Sequence, residues 1–176
     1  GVCAWIVEQF CEKECKLYFV DINKKDSNIL IKDLKKKGLK TPNFIECNLI
    51  NIKKLEGTIK NIIKSKGPID ILINNAANDD RHSTDQVDEK YWNNRMDVNL
   101  KHFFFTIKAV LKGMIKNKGG AIVNLSSVSW MLGEGDKVAY ETAKSAVIGW
   151  TRAYARECGK FNIRCDSVTE GAIAAE

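Results

Sequence analysis

The chain has 176 residues, about one domain's worth, and its 44% hydrophobic and 28% charged residues suit a globular protein. It has no apolar run of membrane-spanning length, and its start lacks the features of a signal peptide, so we expect a cytoplasmic protein without a membrane partner. The net charge of +6 comes from lysines interspersed with acidic and apolar residues, which argues against a nucleic-acid partner, and none of the six cysteines has metal-site spacing.

Helix-like and strand-like segments alternate along the whole chain. In chain order we predict a helix (2–13), a strand (16–21), a helix (27–38), a strand (43–48), a helix (51–67), a strand (69–74), a long helix (88–116), a strand (120–127), a helix (138–158) and a strand (162–168). The strands are short apolar runs, which are typical of a parallel sheet covered by helices on both faces. The predicted fold class is therefore α/β, with a doubly wound, Rossmann-like parallel sheet.

Polar residues follow most of the predicted strands. Ligands of such sheets bind beyond the carboxyl ends of the strands, so these residues are candidates for a binding site. Asp21 ends the first predicted strand and lies 20 residues after Gly1. An acidic residue at about this distance from a glycine turn binds the adenosine ribose of a dinucleotide, and its charge would favour NAD over NADP. The alternative is that Asp21 only caps the following helix.

Tyr140 and Lys144 lie four residues apart in a predicted helix and therefore share one helix face. Such a pair is catalytic in some proteins and a solvated surface pair in many more. Ser127, which ends the preceding strand, lies 13 residues upstream of Tyr140 and is a further candidate. The tyrosine–lysine spacing alone does not decide between the two interpretations.

Four motifs, NNAA, DVNLKHFFF, GGAIVNLSSVS and YETAK, occur in this order and resemble those of the short-chain dehydrogenases/reductases. The resemblance extends over essentially the whole chain. The loops NNAANDDRH and SVSWMLG are similar to those of the bacterial sugar 1-dehydrogenases of this superfamily, which act on xylose, arabinose or galactose. The resemblance implies an NAD-dependent oxidoreductase that oxidises the anomeric hydroxyl of an aldose to a lactone.

The resemblance also implies a role for each catalytic residue. Tyr140 would be the general acid/base, and the Lys144 ammonium would lower its pKa and bind the nicotinamide ribose. Ser127 would hydrogen bond the substrate oxygen. Asn99 would hold a water molecule that links Lys144 to solvent.

The implied cofactor and substrate sites extend over several loops. Trp130 and the loop NDDRH (78–82) are candidates for the sugar pocket, whereas neither His82 nor His102 is expected to have a catalytic role. No metal ligand is implied. The residues that the resemblance assigns to the cofactor are Gly1, Asp21, Asn48, Leu49, Asn75, Ala76, Ala77, Tyr140, Lys144 and Ile173.

The chain departs from the family pattern at both ends. The family begins with a strand and a TGxxxGxG turn, whereas this chain begins inside that turn, with Cys3 where a glycine is usual. We therefore interpret residues 1–176 as a single, incomplete NAD-binding domain that lacks the first strand and the C-terminal part. Strands 16–21 and 69–74 would each lose a neighbour, and the chain as written should bind the cofactor poorly.

Two other functions stay open: a 3-oxoacyl or steroid-type reductase of the same superfamily, and a catalytically inactive fragment of it. The implied partners are a small-molecule substrate, which is a sugar or another alcohol, and further copies of the chain. Helices 88–116 and 138–158 would form the interface of a homodimer or homotetramer through exposed apolar residues, which we take to be Phe103, Phe104, Phe105, Val147 and Trp150.

Overall fold

The computed structural model describes residues 2–171, so the predicted cofactor residues Gly1 and Ile173 lie outside the described part. Helices and strands alternate as predicted, and the α/β class with parallel strands is confirmed. Within residues 2–171, no helix is long and apolar enough to cross a membrane. The helices are α1 (Val2–Glu12), α2 (Lys24–Lys36), α3 (Ile52–Lys66), α4 (Glu89–Met96), α5 (His102–Lys116), α6 (Ser129–Leu132) and α7 (Val138–Gly159). The strands are β1 (Tyr18–Asp21), β2 (Asn43–Glu46), β3 (Ile71–Asn74), β4 (Gly120–Ser127) and β5 (Ile163–Glu170).

Two helices differ from the predicted ones for local reasons. α2 begins three residues earlier than predicted, because the Asn23 side chain accepts a hydrogen bond from the Asp26 amide and caps the helix. The predicted helix 88–116 is interrupted between α4 and α5 by a π-helical segment, Asp97–Lys101. Such segments widen the helix locally and are frequent at functional sites.

The strands form two separate parallel sheets. β1 pairs with β2, and the order in the other sheet is β3–β4–β5. Among residues 2–171, no strand pairs with the second edge of β1 or of β3, so both strands lack the neighbour whose loss we expected. β5 continues to Glu170, two residues beyond its predicted end, because its last residues pair with the end of β4, where Ser127 lies opposite Glu170.

Side-chain packing joins the two sheets where strand pairing does not. One buried cluster contains Cys47 after β2, Leu55 of α3, Ile107 of α5 and Ile122 of β4, and Val20 of β1 packs against it. Burying one such aliphatic side chain contributes about 1.5–3 kcal/mol. A second, smaller cluster holds α1 and α2 against β1. The relative position of the two sheets therefore depends on apolar packing rather than on backbone hydrogen bonds.

The long helices α5 and α7 bury more of their apolar residues than predicted. Phe103 and Val147 are both 0% exposed, so the prediction that they belong to an exposed apolar face is wrong. The reason is helical periodicity, because Phe103 and Ile107 are four residues apart and share the face of α5 that is buried. Phe104 lies on another face and is 44% exposed, and Trp150 of α7 is half-buried.

The pairing register of β1 predicts a pattern of amide exchange. The Cys47 amide donates to the Asp21 carbonyl, so Asp21 and Phe19 bond to β2, while Tyr18 and Val20 direct their amides to the other edge. In the 176-residue chain, we expect the amide protons of Tyr18 and Val20 to exchange with deuterated solvent much faster than those of Phe19 and Asp21. Residue-resolved hydrogen exchange by NMR measures this. Equal protection of all four amides would show that another strand covers this edge.

Candidate active site

Tyr140 and Lys144 lie in the first two turns of α7. The Lys144 side chain is buried at 2% exposure, its Nζ donates to the Leu125 carbonyl at 2.7 Å, and Nζ lies 5.7 Å from the centroid of the Tyr140 ring. The Ser126 hydroxyl donates to the Lys144 carbonyl at 2.7 Å and fastens this turn of α7 to β4. Lys144 therefore faces the interior, which excludes the alternative of a solvated surface pair.

Ser127, the last residue of β4, lies near Tyr140. Its side chain is close enough to the Tyr140 phenol to lower the pKa of that phenol. The Ser127 hydroxyl also donates to the Ser129 hydroxyl at 3.0 Å, and the Ser129 amide donates back to Ser127 Oγ at 3.2 Å. The connection from β4 to α7 therefore brings together the serine and the tyrosine that are 13 residues apart in the sequence.

The pKa values of the tyrosine and the lysine shift in opposite directions. Burial raises the pKa of the Tyr140 phenol, the Ser127 hydrogen bond opposes that rise, and three nearby carboxylates add to it. Burial lowers the pKa of Lys144 to about 8, against the opposing effect of the Glu170 carboxylate. In this structure the Lys144 ammonium donates to the Leu125 carbonyl, and the expectation that it lowers the pKa of Tyr140 stays a prediction.

Asn99 lies at the centre of the π-helical segment and is fully buried. Its side-chain oxygen accepts from the Asn78 amide at 2.8 Å, and its side-chain nitrogen donates to the Asn78 carbonyl at 3.0 Å. The Asn99 carboxamide therefore pairs with both backbone groups of Asn78 and fixes the loop that follows β3. A water molecule held between Asn99 and Lys144 stays a prediction.

A chain of buried hydrogen bonds runs beneath these residues. The side chain of Asn74, at the end of β3, donates to that of Asn124 in β4 at 2.9 Å. Thr106 of α5 donates to Asn74 at 2.7 Å, and Asn124 donates to Thr151 of α7 at 3.1 Å. Because buried amides are rarely left unpaired, this chain holds α5 and α7 in place against the strands that carry the site.

The carboxylate of Asp21, at the end of β1, takes part in one local hydrogen bond. One carboxylate oxygen accepts from the Asn23 amide at 2.8 Å, and Asn23 rather than Asp21 caps α2. Burial raises the pKa of the Cys3 thiol, and the Asp21 carboxylate adds to this rise, which places Cys3 near Asp21. Asn48 closes the turn after β2 with its side chain, while Leu49 packs against the main core cluster. Among residues 2–171, the second carboxylate oxygen of Asp21 accepts no hydrogen bond.

The loop that follows β3 begins with small residues and is held by a buried histidine. Asn75 and Ala76 are half-buried and Ala77 is exposed. His102 Nε2 lies 3.2 Å from the Ala76 carbonyl and 3.0 Å from the Val98 carbonyl, so this nitrogen carries a proton and donates. Burial lowers the pKa of His102 to about 4, so its ring is neutral near pH 7. His102 therefore positions the Ala76 backbone, in addition to the helix packing expected from the sequence.

Two residues that the motifs did not single out contact the next part of this loop. Tyr91 and Arg95 are four residues apart in α4, the same spacing as the tyrosine–lysine pair, and the Arg95 guanidinium lies 5.1 Å from the centroid of the Tyr91 ring. Both contact the segment 78–82, which includes the buried His82. The spacing of four was the signal that could have identified them from the sequence.

The buried ammonium of Lys144 predicts a pH dependence of stability. Its pKa is about 8 in the folded chain against a usual 10.5, so between these values the unfolded state binds more protons. The free energy of unfolding should therefore rise with pH over this interval, by up to about 3 kcal/mol. Lys144→Met removes this rise, so the variant's stability relative to wild type should fall as pH increases from 8 to 10. Urea denaturation at several pH values measures this, and parallel pH curves would contradict it.

Comparisons with known proteins agree with this geometry. The family model for short chain dehydrogenases matches residues 1–176. The chain is 40% identical over 173 residues to the D-xylose 1-dehydrogenase of Caulobacter vibrioides (strain NA1000 / CB15N), covering 98% of this chain and 68% of that protein. It is 35% identical over 176 residues to the "Probable galactose dehydrogenase GalD" of Rhizobium meliloti (strain 1021), covering 100% and 69%. A solved short chain dehydrogenase from Mycobacterium smegmatis shares the fold, with a TM-score of 0.89 at 21% identity over 99% of this chain and 73% of that one. The chain therefore belongs to the short-chain dehydrogenases/reductases, oxidoreductases that act on CH–OH groups with NAD(P).

Proposed function

We propose that this protein oxidises the anomeric hydroxyl of an aldose to a lactone, with NAD as the cofactor and Tyr140 as the general base. The proposal rests on one observation: the Ser127 side chain is close to the Tyr140 phenol, and the buried Lys144 lies beside the same ring. Two relatives, at 40% and 35% identity, are named as xylose and galactose dehydrogenases, which supports a sugar as the substrate.

Tyr140 and Ser127 have different roles in the proposed proton transfer. The Tyr140 oxygen takes the proton of the anomeric hydroxyl, and the Ser127 hydroxyl donates to the same substrate oxygen and holds it in place. NAD, when bound, supplies the acceptor for the hydride. Because burial raises the pKa of Tyr140, the phenolate needs nearby positive charge, and Lys144 is the closest cation that α7 provides.

Lys144 is also suited to pass the proton onward. With a pKa of about 8, it is mostly an ammonium at neutral pH but can lose its proton close to that pH. Asn99, on the π-helical segment, is the proposed holder of a water molecule that connects Lys144 to solvent. Tyr140 would then be returned to its basic form after each transfer.

The residues at the strand ends fit a dinucleotide. Asp21 keeps a carboxylate oxygen for the hydroxyls of the adenosine ribose, and its charge would repel the 2′-phosphate of NADP, so we propose NAD. The loop 75–77 has short side chains that let a ligand approach its backbone, and Asn48 and Leu49 would border the adenine. Lys144 would bind the nicotinamide ribose.

Both signs of charge lie near Tyr140. The carboxylates of Asp79, Glu170 and Glu134 act on its phenol, while the ammonium groups of Lys137 and Lys144 lie 5.9 and 5.7 Å from the centroid of its ring. The local charge therefore does not distinguish a neutral polyol from a 3-oxoacyl thioester, and the substrate panel described below does. Trp130, half-buried in α6, is the proposed aromatic contact for the sugar ring.

We also propose that the protein is a cytoplasmic homodimer or homotetramer. On α5 and α7, Phe104 and Trp150 both contact Tyr154, with ring centroids 6.2 and 4.8 Å apart, and Phe104 is largely uncovered. An aromatic strip of this kind supports contact with a second copy of the chain. All six cysteines are free thiols, which supports a reducing compartment.

Substitution of the candidate base tests the proposed chemistry. In the complete gene product, Tyr140→Phe should lower kcat for aldose oxidation by about 100- to 10,000-fold, because the proton acceptor is lost. Ser127→Ala should lower it by about 100- to 1,000-fold. NADH absorbance with a panel of aldoses, 3-oxoacyl thioesters and steroids measures turnover, and nicotinamide fluorescence should show unchanged NADH affinity.

The matched control for this experiment is Tyr18→Phe, which removes a phenol hydroxyl far along the chain from the site and should leave kcat unchanged. Full activity of Tyr140→Phe would show that Tyr140 is not the general base. Turnover of a thioester or a steroid without turnover of any aldose would favour the reductase alternative, and cofactor binding without any turnover would favour an inactive protein.

Substitution of Asp21 tests the proposed cofactor. Asp21→Ser should reduce the ratio of kcat/KM for NAD to kcat/KM for NADP by about tenfold or more, because the repulsion of the 2′-phosphate is removed. Asp33→Ser, which removes an exposed carboxylate of α2, is the control and should leave the ratio unchanged. A wild-type protein that already prefers NADP would show that Asp21 does not select the cofactor.

A further inference from the structure

The loop Asn78–His82, called the anchored loop below, is held from the side of α4. Arg95 Nη1 donates to the Asn78 side-chain oxygen at 2.6 Å and to the Asp80 carboxylate at 2.9 Å. Arg95 is only 9% exposed, and a buried guanidinium that loses its partners is strongly destabilising. Together with the pairing of Asn99 to the Asn78 backbone, these bonds leave the first half of the anchored loop little freedom.

His82 connects the other end of the anchored loop to two further elements. Its amide donates to the Asp136 carbonyl at 2.6 Å, and the Ala139 amide, in the first turn of α7, donates to His82 Nε2 at 3.5 Å. His82 Nδ1 lies 3.0 Å from the Tyr91 hydroxyl, which lies 3.4 Å from the Asp80 carbonyl. The anchored loop therefore bridges α4 and the first turn of α7, where the candidate base lies.

Between these contacts, two charged residues of the loop stay free. Asp79 and Arg81 are exposed and form no hydrogen bond to any residue of the described part. They lie between Asn78, whose backbone pairs with the Asn99 side chain, and His82, whose Nε2 accepts from the amide of Ala139. Because Ala139 precedes Tyr140 in α7, the segment that carries Asp79 and Arg81 ends beside the candidate base. A carboxylate that accepts and a guanidinium that donates hydrogen bonds are complementary to the hydroxyl groups of a polyol.

We propose that Arg95, Tyr91 and His82 are positioning residues for substrate recognition. They hold the anchored loop between α4 and α7, so that Asp79 and Arg81 contact the substrate's hydroxyl groups beside the candidate base. The identity of the substrate rests on the proposed sugar oxidation, whereas the anchoring rests only on the contacts given above.

The anchoring contacts require one particular tautomer of His82. Because Nε2 accepts from the Ala139 amide, Nδ1 of the neutral ring carries the proton and donates to the Tyr91 oxygen. The Tyr91 hydroxyl can then donate to the Asp80 carbonyl. His102, the second of the two histidines in the chain, requires the opposite tautomer, because its Nε2 faces two carbonyls. His82 and His102 should therefore be distinguishable by which ring nitrogen carries the proton.

Nitrogen-15 NMR of selectively labelled histidines in the complete gene product tests the anchoring without any turnover. At pH 9, above the usual imidazole pKa of about 6.5, we expect the His82 ring to be protonated at Nδ1 and the His102 ring at Nε2. His82→Gln and His102→Gln assign the two signals by removing them. Tyr91→Phe should shift the His82 signal and leave that of His102 unchanged. Two identical tautomers, or a His82 signal indifferent to Tyr91→Phe, would overturn the anchoring.

Steady-state kinetics then tests whether the anchored loop positions substrate. Arg95→Lys keeps the charge, but its side chain is one bond shorter and lacks the second guanidinium nitrogen. It therefore cannot keep the Asn78 and Asp80 contacts of Nη1 together with the Asn94 contact of Nη2, and KM for the aldose should rise about tenfold. The kcat and the NADH affinity should change much less, because β4 holds Lys144 in α7 without Arg95. His82→Gln keeps an acceptor for the Ala139 amide and should retain more activity than His82→Phe.

Arg152→Lys, at an exposed residue of α7, and Tyr18→Phe are the matched controls and should behave as wild type. A wild-type KM in Arg95→Lys, or a loss of kcat and NADH affinity as large as the change in KM, would overturn the positioning role. If the wild-type protein oxidises no aldose, the proposed function fails, and the NMR result still decides whether Tyr91 and His82 anchor the loop.

Discussion

The hydrogen bond between the side chains of Asn74 and Asn124 determines where the rest of the site lies. The two residues are opposite each other in the register of β3 and β4, and their buried amides are 2.9 Å apart. A buried polar group left unpaired costs about 1–3 kcal/mol, and a slip of one residue between the strands would separate the two amides, whose other side-chain partners include Thr106 and Thr151. This register brings the loop after β3 next to Ser127, and it holds α5 and α7 on the strands that they cover.

The environment of Lys144 follows from this arrangement, because β4 binds both ends of the lysine. The Ser126 hydroxyl bonds its carbonyl and the Leu125 carbonyl bonds its ammonium, which partly offsets the cost of burying the charge. Burial thus lowers the pKa of Lys144 and raises that of Tyr140, so both groups are driven towards their neutral forms. A phenolate at Tyr140 would be stabilised by the Lys144 and Lys137 ammonium groups, which lie 5.7 and 5.9 Å from the centroid of its ring, and oxidised nicotinamide would add a further positive charge.

The order and type of the elements could be predicted from the sequence because each strand is a short apolar run between polar turns. The proximity of Ser127, Tyr140 and Lys144 could be predicted because they are 13 and four residues apart, at the end of a strand and on one face of the next long helix. The π-helical turn could not be predicted from the sequence. It accompanies the hydrogen bond between Asn99 and Asn78, which are 21 residues apart, and a local sequence pattern does not reveal such a contact. The same holds for the anchored loop and for the buried side of α5, where tertiary packing rather than composition selects which apolar residues are covered.

The two sheets carry different parts of the proposed function. Asp21, which would bind the adenosine ribose, belongs to β1, whereas the proton-transfer residues all belong to the unit of β3–β5 and its helices. Within residues 2–171, no strand pairing joins the sheets, and Val20 and Leu72 meet instead on a shared apolar cluster to which α3 and α5 contribute. Apolar packing is non-directional and sets a separation less sharply than a ladder of backbone hydrogen bonds does. A dinucleotide bound as proposed would span Asp21 and Lys144, so its affinity would depend on this packing, while the geometry of Ser127 and Tyr140 is set within one sheet. Cofactor affinity and catalytic geometry are therefore separable properties of this chain.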